Sequence, residues 1–151
     1  MNSEYSFKDK WLVSDNYGDQ LVYEILSFGT VNDLQKAPIE YQEMIRDKLI
    51  RLSMINFIFG KNEASFSSII EEYQNAGIEL DSNDVEMILL ELNDRGIVRV
   101  LIDSVGQTVD ILCLNQFRDI YCDERELLVL NQEDLMTKSN LIEVLETYIR
   151  K

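Results

Sequence analysis

The chain has 151 residues, 46% of them hydrophobic, with 14 Lys and Arg against 28 Asp and Glu, no His, and a formal net charge of -14 at pH 7. That length and apolar content suit one compact domain, or one domain with an extension, and exclude a disordered polyanion. The charge has the wrong sign for nucleic acid or an anionic membrane surface, and the lack of His removes His-based acid–base catalysis, His-dependent triads and every His-containing zinc site.

Residues 1–16 are mixed and polar and read as an irregular N-terminal arm, with Trp11, the sole tryptophan, docked on the body. The opening "MNSEYSFKDKW" lacks the long apolar run of a secretory signal. The densest apolar stretch, "LSMINFIFG", is far short of the roughly 20 residues that span a bilayer. The expectation is a soluble intracellular protein whose two cysteines, Cys113 and Cys122, are free thiols.

Residues 17–62 read as a short helical segment. Tyr23, Leu26 and Phe28 suggest a helix ending at Gly29, where glycine suits the left-handed C′ conformation. Asn32 to Ala37 add one turn. Pro38 fits the first turn of the next helix, where its missing N–H has no helical partner to lose. Tyr41, Ile45, Leu49, Leu52, Ile55 and Phe59 then recur at helical spacing, with Glu40, Glu43, Arg46, Asp47 and Arg51 largely off that stripe. Gly60 is the stop.

Residues 63–116 have the order helix, helix, hairpin of a winged helix. The first helix covers about Ser67 to Ala76, with Ser68 and Glu71 spaced as a capping box, Phe66, Ile69, Ile70 and Tyr73 inward, and Gly77 at its end. Asp81 or Ser82 caps the second, which turns Val85, Ile88, Leu89 and Leu92 inward and stops at Gly96. In "RGIVRVLIDSVGQTVDILCL" the residues Val98, Val100 and Ile102, then Val109, Ile111 and Cys113, alternate with their neighbours around a short turn containing Gly106, as in a β-hairpin.

Residues 117–151 read as a C-terminal helical tail. Asp123 to Leu130 is weakly helical in pattern. Asn140 to Arg150 is clearly so, with Leu141, Val144, Leu145 and Tyr148 on one stripe, widened by Ile142 and Ile149. That stripe either closes the chain's own core or enters a helical bundle shared with partners. The fold class is therefore mainly α with a small β-hairpin.

Winged helices often place their last helix in the DNA major groove. Here the non-core face of that helix carries Asp84, Glu86, Glu91 and Asp94, with Arg95 only at its end, so phosphates would meet like charge. Met87 and Leu90 share that face. They are stray surface residues, residues under a second packed layer, or a protein-contact face. Acidic groups such as Glu71 with Glu72, or Asp123, Glu124 and Glu126, read as solvated faces, and Cys122 has no His partner to make it a nucleophile. No enzyme activity, cofactor or metal is expected.

The run "KLIRLSMINF", Lys48 to Phe57, resembles the signature helix of PCI domains. These domains are shared by the proteasome lid, the COP9 signalosome and the eukaryotic translation initiation factor three complex. "ASFSSIIEEY", "SNDVEMILLELNDRGIV" and "IDSVGQTVDIL" follow in PCI-like order. "FRDIYCDERELLVL", Phe117 to Leu130, and "WLVSDNYGDQLVYEILSFGTVNDL", Trp11 to Leu34, look most like the small subunit-seven type of the signalosome in its reduced fungal form. The resemblance runs from Trp11 to about Leu130, and more loosely to the end.

It implies a non-catalytic scaffold in a complex that removes the modifier Nedd8 from cullins, in nucleus and cytoplasm. The isopeptidase there is a different subunit, with a zinc site that uses histidines. Other PCI subunits would be the partners, with winged helices side by side and C-terminal helices in a bundle. The residues expected to contact them are Met87, Leu90, Leu101, Leu112, Leu114, Leu141, Ile142, Leu145, Tyr148 and Ile149. The segment ahead of the winged helix is shorter than in larger PCI subunits, which favours a peripheral or bridging place. A proteasome-lid or initiation-factor subunit, or a winged-helix transcription regulator, are the alternatives.

Overall fold

The structure, a computed structural model, describes residues 6–122, 124–130 and 135. Among them are five α-helices, a 3-10 helix and three strands, a mainly helical fold with a small antiparallel sheet. The chain divides into two compact units, Met1–Leu49 with Arg118–Lys151, and Ile50–Phe117.

In the first unit α1 spans Lys8–Val13, where the sequence suggested an irregular arm. A six-residue helix is too short to persist alone, and its ends are satisfied from far along the chain. Asp119 accepts the amides of Phe7 and Lys8 at 2.7 and 3.2 Å, and the hydroxyl of Ser6 at 2.9 Å. Arg125 donates to the carbonyls of Trp11 and Ser14 at 2.7 and 2.9 Å. Trp11 is fully buried, edge-on to Phe28 and Tyr121.

Helix α2, Tyr17–Phe28, starts with Asn16, whose side chain accepts from Gly18 and Asp19. It ends at Gly29, but not in the expected left-handed conformation: Gly29 is extended, with φ -88° and ψ 175°. What requires glycine there is space, since a Cβ would lie 2.8 Å from the carbonyl oxygen of Ile25. A 3-10 helix, Val31–Lys36, follows, with a capping box between Thr30 and Asp33. Helix α3, Ile39–Ile58, starts just after Pro38, whose carbonyl accepts from Tyr41 and Gln42. Its buried residues include the predicted Ile45, Leu49, Leu52 and Ile55, and also Ile50, Ser53, Met54 and Ile58. The helix is buried around more of its circumference than one stripe indicates.

Asp123 to Leu130 were expected to be weakly helical, and the described residues of 118–130 are irregular. Their backbone donors are used elsewhere. The buried carboxylate of Glu24 accepts the amides of Leu128, Val129 and Leu130 at 2.7, 2.8 and 3.1 Å. Arg118, also buried, donates to the carbonyls of Gly29 and, at 2.8 Å, Leu26. Burial pulls its guanidinium down to about 10, against the opposing pull of Asp119 and Asp33, so it stays charged at neutral pH.

The second unit begins with the rest of α3. Strand β1, Glu63–Ser65, was not apparent from the pattern and is too short to show a period. Helix α4, Phe66–Asn75, is capped by Ser65, whose side chain accepts from the amide of Ser68, so the cap lies three residues before the expected Ser68. Helix α5, Ser82–Asp94, has a capping box between Asp81 and Asp84 and turns Val85, Leu89 and Leu92 inward, with Ile88 half-buried. Gly77 and Gly96 follow these helices with φ of 81° and 74°, as expected for left-handed stops. Strands β2, Val98–Asp103, and β3, Thr108–Leu114, form the wing. The sheet order is β1-β3-β2, all antiparallel. This is a winged-helix-like arrangement. Tyr73 is buried under it, edge-on to Phe57, and donates to the carbonyl of Ile50 at 2.5 Å.

Removing the Glu24 carboxylate strands three amides at once. Glu24→Ala is expected to cost about 3–5 kcal/mol, and Glu24→Gln, which keeps one oxygen, clearly less. Urea unfolding of the full chain measures both; equal losses for the two variants would refute the account.

Candidate functional site

Large apolar side chains are exposed on both units, among them Val13, Ile39 and Met44 on the first and Met87, Leu90, Leu101, Val105 and Leu112 on the second, where the expected contact residues lie. Helix α5 is held rigidly by its buried face, Val85, Leu89 and Leu92, and by its caps. Its other face presents Met87 at 61% and Leu90 at 43% exposure. Among the described residues no second layer covers them. With Ile88, Arg51, Glu91, Asp94 and Arg95 they line a shallow groove of about 690 Å³.

The groove is electrostatically uneven. Glu91 is paired with Arg51 at 2.6 Å and lies 3.7 Å from Arg95. Glu86 accepts from Ser104 of the wing turn, and Asp84 accepts the amide of Asp81. Asp94 is exposed in the last turn, where the carbonyl end of the helix adds partial negative charge. A phosphate backbone would meet like charge at these carboxylates.

The second apolar surface is the outer face of the wing. Leu101 is 60% and Leu112 53% exposed, while Leu114 is half-buried. Leu101 faces Asp110 across the hairpin, so Leu112 is its diagonal neighbour on the same face. Strand β3 is central, and β2 is an edge of the sheet among the described residues. The turn carries two features that the sequence did not reveal. Val105 is 97% exposed at the tip, and Gln107 takes a positive φ of 54° beside Gly106. Arg51 was also missed, because its position off the α3 stripe marked it only as solvated.

The five predicted contact residues of the tail, Leu141, Ile142, Leu145, Tyr148 and Ile149, lie outside the described residues. Met87 with Leu90, and Leu101 with Leu112, therefore form two separate apolar pairs on the second unit. Cys113 and Cys122 are exposed and unlinked. Among the described residues there is no group of three or more acidic, Cys or His side chains placed to hold a metal, and no helix is long and apolar enough to cross a membrane.

No protein-family model matches the chain. It is similar to the protein named COP9 signalosome complex subunit 9 of Candida glabrata, 45% identical over 147 residues that cover 97% of this chain and 98% of that one. It is 30% identical over 148 residues to the protein of the same name in Saccharomyces cerevisiae, covering 98% of this chain and 86% of that one. With that of Eremothecium gossypii it shares 29% identity over 140 residues, 89% and 80% of the two chains.

Surface apolar residues that serve contacts contribute little to the fold. Met87→Ser with Leu90→Ser is expected to shift the stability of the isolated chain by no more than about 0.5 kcal/mol per site. Leu89→Ala, one position away and fully buried, should cost about 2–5 kcal/mol. Thermal melts of the two variants side by side check the contrast.

Proposed function

The chain belongs to the COP9 signalosome subunit 9 family, and from that premise we propose that it is a non-catalytic scaffold subunit of a complex that removes Nedd8 from cullins. The observation that carries the reading is the pair of exposed apolar faces, Met87 with Leu90 and Leu101 with Leu112, on a compact winged-helix-like unit. Such faces suit contacts with other proteins. The absence of His supports a role outside the catalysis, since the isopeptidase implied by the resemblance uses histidines on zinc.

In this reading the partners are other PCI subunits, and the complex works in nucleus and cytoplasm. Residues 1–16 are the arm, 17–62 the helical segment, 63–116 the winged helix and 117–151 the tail. The edge strand β2 has backbone groups that a neighbouring winged helix can pair with, and Leu101, Leu112 and Leu114 flank that contact. Leu141, Ile142, Leu145, Tyr148 and Ile149 would contribute to a shared helical bundle. Burying one leucine contributes roughly 1.5–3 kcal/mol, so two of them decide whether a subunit stays bound.

Cells lacking the chain are expected to accumulate neddylated cullin, while the purified chain alone leaves the conjugate intact. Full deneddylation in the deletion strain would count against the scaffold role, and cleavage by the isolated chain would count against a non-catalytic one. Leu101→Asp with Leu112→Asp, and separately truncation at Met136, should abolish co-purification with the complex while the chain still melts cooperatively.

A further inference from the structure

We propose that the exposed ridge of α5 docks a basic amphipathic helix of another protein, with apolar side chains seated on Met87 and Leu90 and a lysine or arginine against Asp94. The inference rests on the scaffold reading and specifies the chemistry of one partner.

Asn83, Met87, Leu90 and Asp94 follow one another at helical spacing along α5. The apolar pair is at the centre and a carboxylate stands at the C-terminal end. A helix laid into such a groove reads it through anchors at the same spacing. The charge selects which helix. On one wall Glu91 already has cations on it, Arg51 at 2.6 Å and Arg95 at 3.7 Å. Asp94 forms no ion pair among the described residues, and the helix carbonyls beside it reinforce its negative charge. A cation from outside fits there without displacing an ion-pair partner among the described residues.

The wider field points the same way. The cations of residues 50–117 are Arg51, Lys61, Arg95 and Arg99, far outnumbered by carboxylates on α4, α5 and the wing. A second copy of this chain, or any acidic partner, would approach against like charge. A neutral apolar helix would use the centre of the ridge and leave its ends unused. The ridge is also preorganised: Val85, Leu89 and Leu92 are fully buried, the N-terminus has a capping box, and Gly96 closes the C-terminus. A partner therefore need not order it on binding.

The test uses the full chain and a short helical peptide with a leucine stripe flanked by lysines, beside a control peptide with glutamate at every lysine. Fluorescence anisotropy at low salt should show binding of the lysine peptide and at least about tenfold weaker binding of the control. Met87→Ser with Leu90→Ser should weaken the lysine peptide about a hundredfold. Asp94→Lys should weaken it about fivefold to tenfold and improve binding of the glutamate peptide. Equal binding of the two peptides, or unchanged binding to the Met87→Ser, Leu90→Ser chain, overturns the proposal. Co-purification of that double variant with the signalosome separates this inference from the reading beneath it. If co-purification is lost but the lysine peptide is not preferred, the basic occupant is wrong and the scaffold reading stands. If the lysine preference holds while deletion of the gene leaves cullin deneddylated, the dock is right and the scaffold reading is wrong.

Discussion

The first unit depends on how the carbonyls at the end of α2 are satisfied. A helix end leaves its last carbonyls without intrahelical donors, and here that end is buried. The guanidinium of Arg118 reaches them from 89 residues along the chain. The same step of chain places Asp119 at the amide end of α1, so one dipeptide terminates one helix and starts another. Glu24 and Arg125 complete the arrangement in opposite directions, one holding the amides of the returning segment and the other the carbonyls of α1. The described residues of 118–130 lack regular structure, and charged side chains satisfy the backbone groups that a helix or ladder would otherwise pair.

This division explains which parts of the molecule could be read from its sequence. The wing and α5 are local objects. Their period-two and helical patterns, the capping residue Asp81 and the stop at Gly96 all lie within a few residues of what they specify. The core residues Val85, Leu89 and Leu92 follow directly. Helix α1 was unreadable because its caps are Asp119 and Arg125, which sequence spacing cannot connect to it. Gly29 shows the converse. The residue was rightly placed at a helix end, but for a left-handed turn that does not form, when its actual role is to let α2 terminate without a Cβ against the Ile25 carbonyl. At the candidate surfaces, Met87 and Leu90 were legible by helical angle, whereas Arg51 became visible only when folding placed it beside Glu91.

The winged-helix arrangement is here joined to an electrostatic surface opposed to its familiar use. In a DNA-reading relative the outward face of the last helix would be cationic and the wing would track a phosphate strand. On this chain the corresponding helix carries carboxylates around two apolar side chains, and the wing offers leucines. Like charge around these faces disfavours nucleic acid, although the backbone alone fits either. The same physical rule that excludes phosphate, like-charge repulsion at short range, also restricts which proteins can approach.

The ties between Arg118, Asp119, Arg125 and the N-terminal helices also order events in time. Residues 50–117 form their unit from a continuous stretch, so this part has all its own sequence available once Phe117 has been synthesised. The unit that contains α1 and α2 has no such freedom. Its helices α1 and α2 are synthesised before residues 50–117, whereas Arg118, Asp119 and Arg125, which finish their ends, are synthesised after them. Vectorial synthesis therefore leaves Trp11, Ile25 and Phe28 without their native cover while the middle of the chain folds, and closure of the two ends is a long-range step made late. During that interval the apolar faces of the early helices depend on protection from aggregation.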